Sequence, residues 1–157
     1  MPAGVRNTLT AKKAKIESVR PAATPRPTRD EAAAEAREIA LRIAAAGLDK
    51  KALQVEIIDV RGKVDYADFV VLMSGRSDRQ VNAIAKGIDV TLKHEYDQRC
   101  YGMEGLPQGH WVLMDYGDVV VHIFHQDTRG YYDLVSLWMD AARVDTSDIE
   151  DGADHDA

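Results

Sequence analysis

The stretch from His110 to Phe124, HWVLMDYGDVVVHIF, constrains the fold more than any other part of the chain. Two apolar runs rich in β-branched and aromatic residues flank Tyr116-Gly117, and such residues fit the pleated surface of a strand. Glycine supplies the positive φ that a tight turn requires. The pattern therefore predicts a β-hairpin.

The two faces of this hairpin differ in character. A two-residue loop at Tyr116-Gly117 places Asp115 opposite Asp118, Leu113 opposite Val120 and Trp111 opposite His122. One face is then apolar throughout, with Val112, Met114, Val119, Val121 and Ile123. The other face joins a tryptophan and a histidine to two carboxylates, and aromatic anchors ringed by polar groups dominate binding hot spots.

We predict that this mixed face binds a basic partner, because two facing carboxylates repel each other unless a cation or solvent relieves them. Its candidate partner-binding residues are Trp111, Leu113, Asp115, Asp118 and His122. A solvated turn with two acidic turn-formers is the alternative interpretation. A three-residue loop with a glycine bulge would shift the pairing by one residue.

Length and composition favour one small domain. The chain has 157 residues, 45% of them hydrophobic, which suffices for a single modest core. It contains no run of about eighteen apolar residues and no apolar signal-peptide core at its start, so we expect neither a membrane span nor secretion. Cys100 has no second thiol to pair with, which fits a reducing compartment and a buried, structural role.

The net charge of -6 is unevenly distributed. Residues 1–29 carry seven Lys or Arg and one acid, whereas residues 140–157 carry seven acids and one base. We expect a disordered basic, proline-containing arm over residues 1–28, an α/β domain over 29–142 and a disordered acidic tail over 143–157. The arm is also suited to weak contact with RNA, or to serve as a mitochondrial transit peptide, so the expected location is cytoplasmic or, alternatively, the mitochondrial matrix.

Within the domain, strands and helices are predicted from periodicity and capping signals. Thr28 and Glu31 form a capping-box pattern ahead of a helix that we expect to end at Gly47, and Ser77 with Gln80 starts a second helix. Extended segments are expected at residues 55–60 and 68–73, and a short final helix buries Trp138. This order predicts an α/β fold, with a mixed sheet of about five strands and helices packed on it.

Catalytic chemistry is not supported by the spacing of polar residues. The Ser74-Gly75 turn between a strand and a helix is similar to the phosphate-binding turn of nucleotidyltransferases. Those enzymes also need two carboxylates on one strand face for magnesium, whereas Asp115 and Asp118 are three apart across a turn. His122 and His125 point to opposite faces of a strand and cannot share a metal. We therefore predict a non-enzyme without metal or cofactor, with a nucleotide-binding enzyme of the same fold as the alternative. His122 and Asp115 are suited to form an acid–base pair, but no nucleophile lies at a defined spacing beside them. We therefore interpret His122 as a surface or half-buried histidine that is hydrogen-bonded to a polar partner.

Several segments together resemble a known family, the ribosomal silencing factors RsfS, also called Iojap. They are DYADFVV at residues 65–71, SGRSDRQV at 74–81, WVLMDYGDVVVH at 111–122, YDL at 132–134 and LW at 137–138. The resemblance covers about residues 30–141. It implies a small mixed α/β domain, similar in fold to nucleotidyltransferases but lacking their catalytic carboxylates.

The resemblance also implies a function. Family members dock on ribosomal protein L fourteen of the large ribosomal subunit, stop the small subunit from joining and lower translation when nutrients are scarce. Trp111 matches the family tryptophan tied to that contact, and Asp115, Asp118 and His122 match the motif around it. The basic arm and the acidic tail lie outside the family pattern.

Overall fold

The computed structural model of the protein describes residues 28–128, 134–138 and 140–150. Their secondary structure comprises α1 (Arg29–Asp49), β1 (Leu53–Asp59), β2 (Phe69–Gly75), α2 (Asp78–Tyr96), β3 (Gly102–Glu104), β4 (Trp111–Asp115), β5 (Val119–His125) and a 3-10 helix (Leu134–Trp138). The strands form one sheet in the order β1-β2-β5-β4-β3. Since β2 and β5 run parallel and the other pairs antiparallel, the sheet is mixed, which confirms the predicted fold class.

Capping explains where the two long helices begin. The Thr28 hydroxyl accepts from the Glu31 amide and the Glu31 carboxylate accepts from the Thr28 amide, so the predicted capping box is confirmed. The expected stop at Gly47 is wrong, because α1 continues to Asp49. Gly47 instead lies where a side chain would collide with Met73, so its role is close packing of α1 on the sheet.

Both helices cover the same side of the sheet. The main core lies between them and the side chains of alternate strand residues, with Ile57, Val71, Val121 and Met114 all fully buried. Strand β2 is buried along its whole length because both of its faces are covered: Phe69, Val71 and Met73 lie in the main core, and Val70 and Leu72 lie in a second apolar cluster on the opposite side. Neither helix is both long enough and apolar enough to cross a membrane, as judged over the described residues.

The hairpin forms, but its predicted register is wrong by two residues. Asp115 pairs with Val120, Leu113 with His122 and Trp111 with Phe124. The loop is therefore Gly117-Asp118, closed by a 2.9 Å bond from the Tyr116 amide to the Val119 carbonyl. Asp115 and Asp118 do not face each other across the ladder. Because side chains alternate with a period of two, a shift of two leaves every predicted face unchanged.

The packed chain extends beyond residue 142, where the sequence predicts a tail. The Asp59 amide donates to the Ala142 carbonyl and the Val144 amide to the Ile57 carbonyl, both at 2.9 Å, so this segment lines the outer edge of β1. Val144 and Ile149 then pack against the main core. We name residues 140–150 the C-terminal strap. The predicted arm over residues 1–28, except Thr28, and the last seven residues lie outside the described residues.

Candidate partner-binding face of the β4–β5 hairpin

The hairpin presents a second face on the side of the sheet opposite α1 and α2. We name it the hairpin face, and its residues are Trp111, Leu113 and Asp115 of β4 with Val120, His122 and Phe124 of β5. Part of this side is covered by Trp138 and Ala141, which form a smaller core with Ile58, Val70, Leu72 and Phe124. The predicted packing role of Trp138 is thus confirmed, whereas Tyr132 lies outside the described residues.

Exposure differs among the five predicted partner-binding residues. Trp111 and Leu113 are partly exposed, and Asp118 is exposed in the turn. Asp115 and His122 are each only 8% exposed. The structure brings Trp111, Leu113, Asp115 and His122 to one face and places Asp118 beside it, in the loop. The accessible part of the set is therefore an aromatic and aliphatic pair on the strands, with an acidic turn at the end of the hairpin that lies farthest from Trp111.

Trp111 and His122 are joined directly. The indole N–H of Trp111 donates to Nδ1 of His122 over 3.0 Å. Burial lowers the pKa of His122 to about 4, so the imidazole is neutral at pH 7 and its proton resides on Nε2. The expected polar partner of His122 exists, but it is the tryptophan; no Asp115 bond to His122 is needed to satisfy Nδ1.

Phe124 completes an aromatic group on this face. Its ring stacks with Trp111 at a centroid distance of 5.3 Å and with His122 at 6.1 Å. The Trp111 and His122 rings are 5.8 Å apart and tilted by 38°. Diagonal neighbours on paired strands lie within reach of aromatic side chains, which is why a tryptophan on β4 meets a histidine on β5 that is not its ladder partner. The sequence pattern indicates Trp111 and His122. It misses Phe124 because the predicted ladder ends with Trp111 opposite His122 and leaves Phe124 beyond the last pair, whereas the observed register pairs Phe124 with Trp111.

The two aspartates of the hairpin serve different purposes. Asp115 Oδ1 accepts from the Gly117 amide at 2.8 Å, which fixes the turn and satisfies a carboxylate that is almost fully buried. The Asp118 carbonyl accepts from the amides of Asp68 and Phe69, at 2.7 and 3.2 Å, and so ties the turn to β2. Asp115 thus shapes the turn, while Asp118 offers negative charge at the surface.

The Ser74-Gly75 turn has a structural explanation. A side chain at Gly75 would meet Val81 at 2.9 Å, so glycine permits β2 to approach α2. At the start of α2, the Gln80 amide donates to the Ser77 hydroxyl and the Arg76 amide to the Gln80 side chain. These amides are therefore engaged within the protein. Within the described part of the chain, no group of three or more His, Cys, Asp or Glu is arranged to hold a metal ion.

Fold and site together define a small mixed-sheet α/β protein with an aromatic group on one sheet face and an acidic turn on the same hairpin. A family model described as "ribosomal silencing factor during starvation" matches residues 33–157. The chain belongs to this family, the ribosomal silencing factors RsfS, and a translation-silencing role follows from that membership.

Individual relatives agree with this assignment. The ribosomal silencing factor RsfS of Bacillus subtilis (strain 168) is 44% identical over 109 residues, which cover 67% of this chain and 89% of the relative. A protein of Arabidopsis thaliana named "Iojap-related, mitochondrial" is 36% identical over 104 residues, covering 64% of this chain and 56% of that protein. A crystal structure from Bacillus halodurans matches with a TM-score of 0.61 and 38% identity, covering 69% of this chain and 98% of that one.

Proposed function

We propose that this protein docks on the large ribosomal subunit through its hairpin face, and that ribosomal protein L fourteen is the partner it meets there. Bound in that position, it sterically blocks the small subunit and lowers translation under nutrient limitation. A bacterial-type ribosome in the cytoplasm is the target we propose, since the RsfS of Bacillus subtilis aligns over most of its length. No catalytic step is part of this proposal.

One observation supports the docking face above all others. Trp111 and Leu113 are partly exposed side by side on the sheet side that α1 and α2 leave free, although both are large apolar side chains. An aromatic anchor with an aliphatic neighbour and a polar rim is the usual composition of a binding hot spot. The exposed Asp118 supplies negative charge in the turn at the other end of the same hairpin, which suits a basic ribosomal protein.

The basic arm adds a second, weaker contact in this proposal. Its cations are suited to phosphates of ribosomal RNA, and such contacts depend strongly on salt concentration. The segment between residues 30 and 139 is acidic, with eighteen acids and twelve bases, so it is not suited to bind RNA through its own surface. The hairpin face is therefore assigned to protein and the arm to RNA.

The direct test is sedimentation of the purified protein with separated large and small subunits, followed by a reassociation assay. We expect the protein to co-sediment with large subunits and not with small subunits. We also expect a dose-dependent loss of joined ribosomes in the reassociation assay. Trp111→Ala should weaken binding by about 2 kcal/mol, because it removes a central anchor. Asp118→Lys, a change in an exposed turn, should weaken binding to a basic partner and reduce its salt dependence.

Tyr96→Ala provides the matched control. Tyr96 is an aromatic residue that is 43% exposed at the end of α2, where it stacks on Arg42, on the helical side of the molecule. We expect this variant to bind and to inhibit reassociation like the wild type. Equal binding by folded Trp111→Ala and by the wild type would contradict the proposed face, and undiminished reassociation at saturating protein would contradict the proposed blocking step.

A further inference from the structure

His122 is poorly placed to contact a partner itself. It is 8% exposed, whereas its neighbour Trp111 is partly exposed. Burial leaves the imidazole little surface to offer, yet it holds the one polar atom of the indole through a 3.0 Å hydrogen bond. The contribution of His122 to any docking event must therefore pass largely through Trp111.

The geometry around Trp111 restricts its ring to one orientation. Phe124 stacks on the indole at 5.3 Å and on the imidazole at 6.1 Å, so the two bonded rings share one aromatic neighbour. Stacking alone permits the indole to turn over, because either face can pack on Phe124. The hydrogen bond distinguishes the two orientations, since turning the ring over would remove the indole N–H from its acceptor on His122.

We infer that His122 is a positioning residue, which holds the indole of Trp111 in its docking orientation before the partner arrives. The inference rests on the proposed docking through the hairpin face. An anchor that is already ordered loses less side-chain entropy on binding, and this raises affinity without any added interaction. Burial also supports the arrangement, since it keeps the imidazole neutral and Nδ1 free to accept.

Two substitutions distinguish the effect of the hydrogen-bond acceptor on His122 from the effect of its aromatic ring. His122→Phe keeps an aromatic ring against Phe124 but removes the acceptor, whereas His122→Asn places an amide oxygen near the position of Nδ1. We expect His122→Phe to weaken binding to isolated large subunits by about fivefold, the equivalent of one hydrogen bond. His122→Asn should recover most of that loss. His122→Gln, whose acceptor reaches further than Nδ1, should bind with intermediate affinity.

The free protein offers a readout that needs no ribosome. In a proton NMR spectrum, the indole Hε1 resonance of Trp111 should lie downfield and exchange slowly in the wild type and in His122→Asn. It should move upfield and exchange faster in His122→Phe, while the resonance of the buried Trp138 stays in place as an internal reference. If His122→Phe does not fold, the comparison of Asn with Gln still tests whether affinity follows the indole resonance.

A double-substitution cycle distinguishes positioning from direct contact. In a Trp111→Ala background, adding His122→Phe should cost no further affinity, because the residue through which His122 acts is gone. A loss that persists in that background would overturn the inference in favour of direct contact. If His122→Phe bound as well as the wild type while Trp111→Ala bound more weakly, the positioning role of His122 would be overturned, and the proposed docking face would stand. Unchanged binding by Trp111→Ala would instead reject the docking face itself.

Discussion

At the scale of single residues, the burial of His122 couples folding to proton binding. Its pKa is lowered from an ordinary 6.5 to about 4 in the folded protein, so the unfolded chain binds the proton more tightly. The contribution of neutral His122 to the unfolding free energy is therefore complete above about pH 6.5, and it is lost as the pH falls towards 4. We expect the unfolding free energy to drop by about 3 kcal/mol across this window, measured by urea denaturation at several pH values.

His122→Phe is the control for this titration. Without an imidazole at residue 122, the fall in stability between pH 6.5 and pH 4.5 should become much shallower. The carboxyl group of Asp59 does not interfere in this range. Its hydrogen bonds with Arg61 lower its pKa below the ordinary value, so the stability that Asp59 contributes is lost only in more acid solution. Parallel curves for the variant and the wild type would show that His122 is not the group responsible.

Gly105 is a second residue whose identity has a specific physical reason. Its φ is +100°, and a side chain there would overlap the carbonyl oxygen of Trp111. Gly62 also has a positive φ, of +79°, but open space surrounds it. Gly105→Ala should therefore lower the unfolding free energy by more than about 2 kcal/mol, and Gly62→Ala by only about 1 kcal/mol. Thermal or urea unfolding of the two variants makes the comparison, and equal losses would contradict a clash at Gly105.

At the scale of elements, helix starts are easier to predict than strand pairing. The start of α1 is readable because Thr28 and Glu31 are a local signal, three residues apart, that needs no tertiary information. The hairpin register cannot be read from the sequence in this way, because Gly117 fits a two-residue loop either as its second or as its first residue. A turn with glycine in the first central position is itself common, and it is the one that forms here.

The residues of the hairpin face are largely predictable even though the register is not. Alternation with a period of two survives a shift of two, so Trp111, Leu113 and His122 share a face under both pairings. Trp111 and His122 are also neighbours under both pairings, facing in the predicted register and diagonal in the observed one. What the sequence does not reveal is that the indole N–H donates to Nδ1 of His122. Burial of Asp115 is equally hidden, since it depends on a turn whose predicted position is wrong.

The C-terminal strap escapes prediction because its apolar residues are few and widely spaced. Val144 and Ile149 are five residues apart in an acidic segment, yet both pack against the main core. We expect Val144→Ala combined with Ile149→Ala to lower the unfolding free energy by about 2 kcal/mol, because two half-buried apolar side chains are truncated.

The matched control for the strap removes charge instead of apolar surface. Asp148 and Glu150 are both exposed, so Asp148→Ala combined with Glu150→Ala should change stability by no more than about 0.5 kcal/mol. Urea denaturation of both double variants at pH 7 makes the comparison. If the apolar pair could be removed as harmlessly as the charged pair, the strap would contribute nothing to the fold.

At the scale of the whole molecule, charge and apolar surface are separated along the chain. Seven cations lie within the first 29 residues, while the hairpin face lies within an acidic folded part. If the proposed assignments hold, affinity for the large subunit has two components with different responses to salt. For binding to RNA phosphates, the logarithm of the binding constant falls linearly with the logarithm of salt concentration. The affinity contributed by an aromatic anchor is largely insensitive to salt.

Deleting residues 1–27 tests this division while leaving Thr28 in place to cap α1. The truncated protein should still bind large subunits, but the slope of log K against log salt should fall by about 0.7 to 0.9 for every phosphate that the arm neutralises in the full chain. Trp111→Ala should do the opposite, lowering affinity by a similar factor at every salt concentration and leaving the slope unchanged. Binding isotherms at four salt concentrations measure both quantities. Identical slopes for the truncated and the full chain would show that the arm takes no part in binding. The hairpin face would then have to account for the whole affinity.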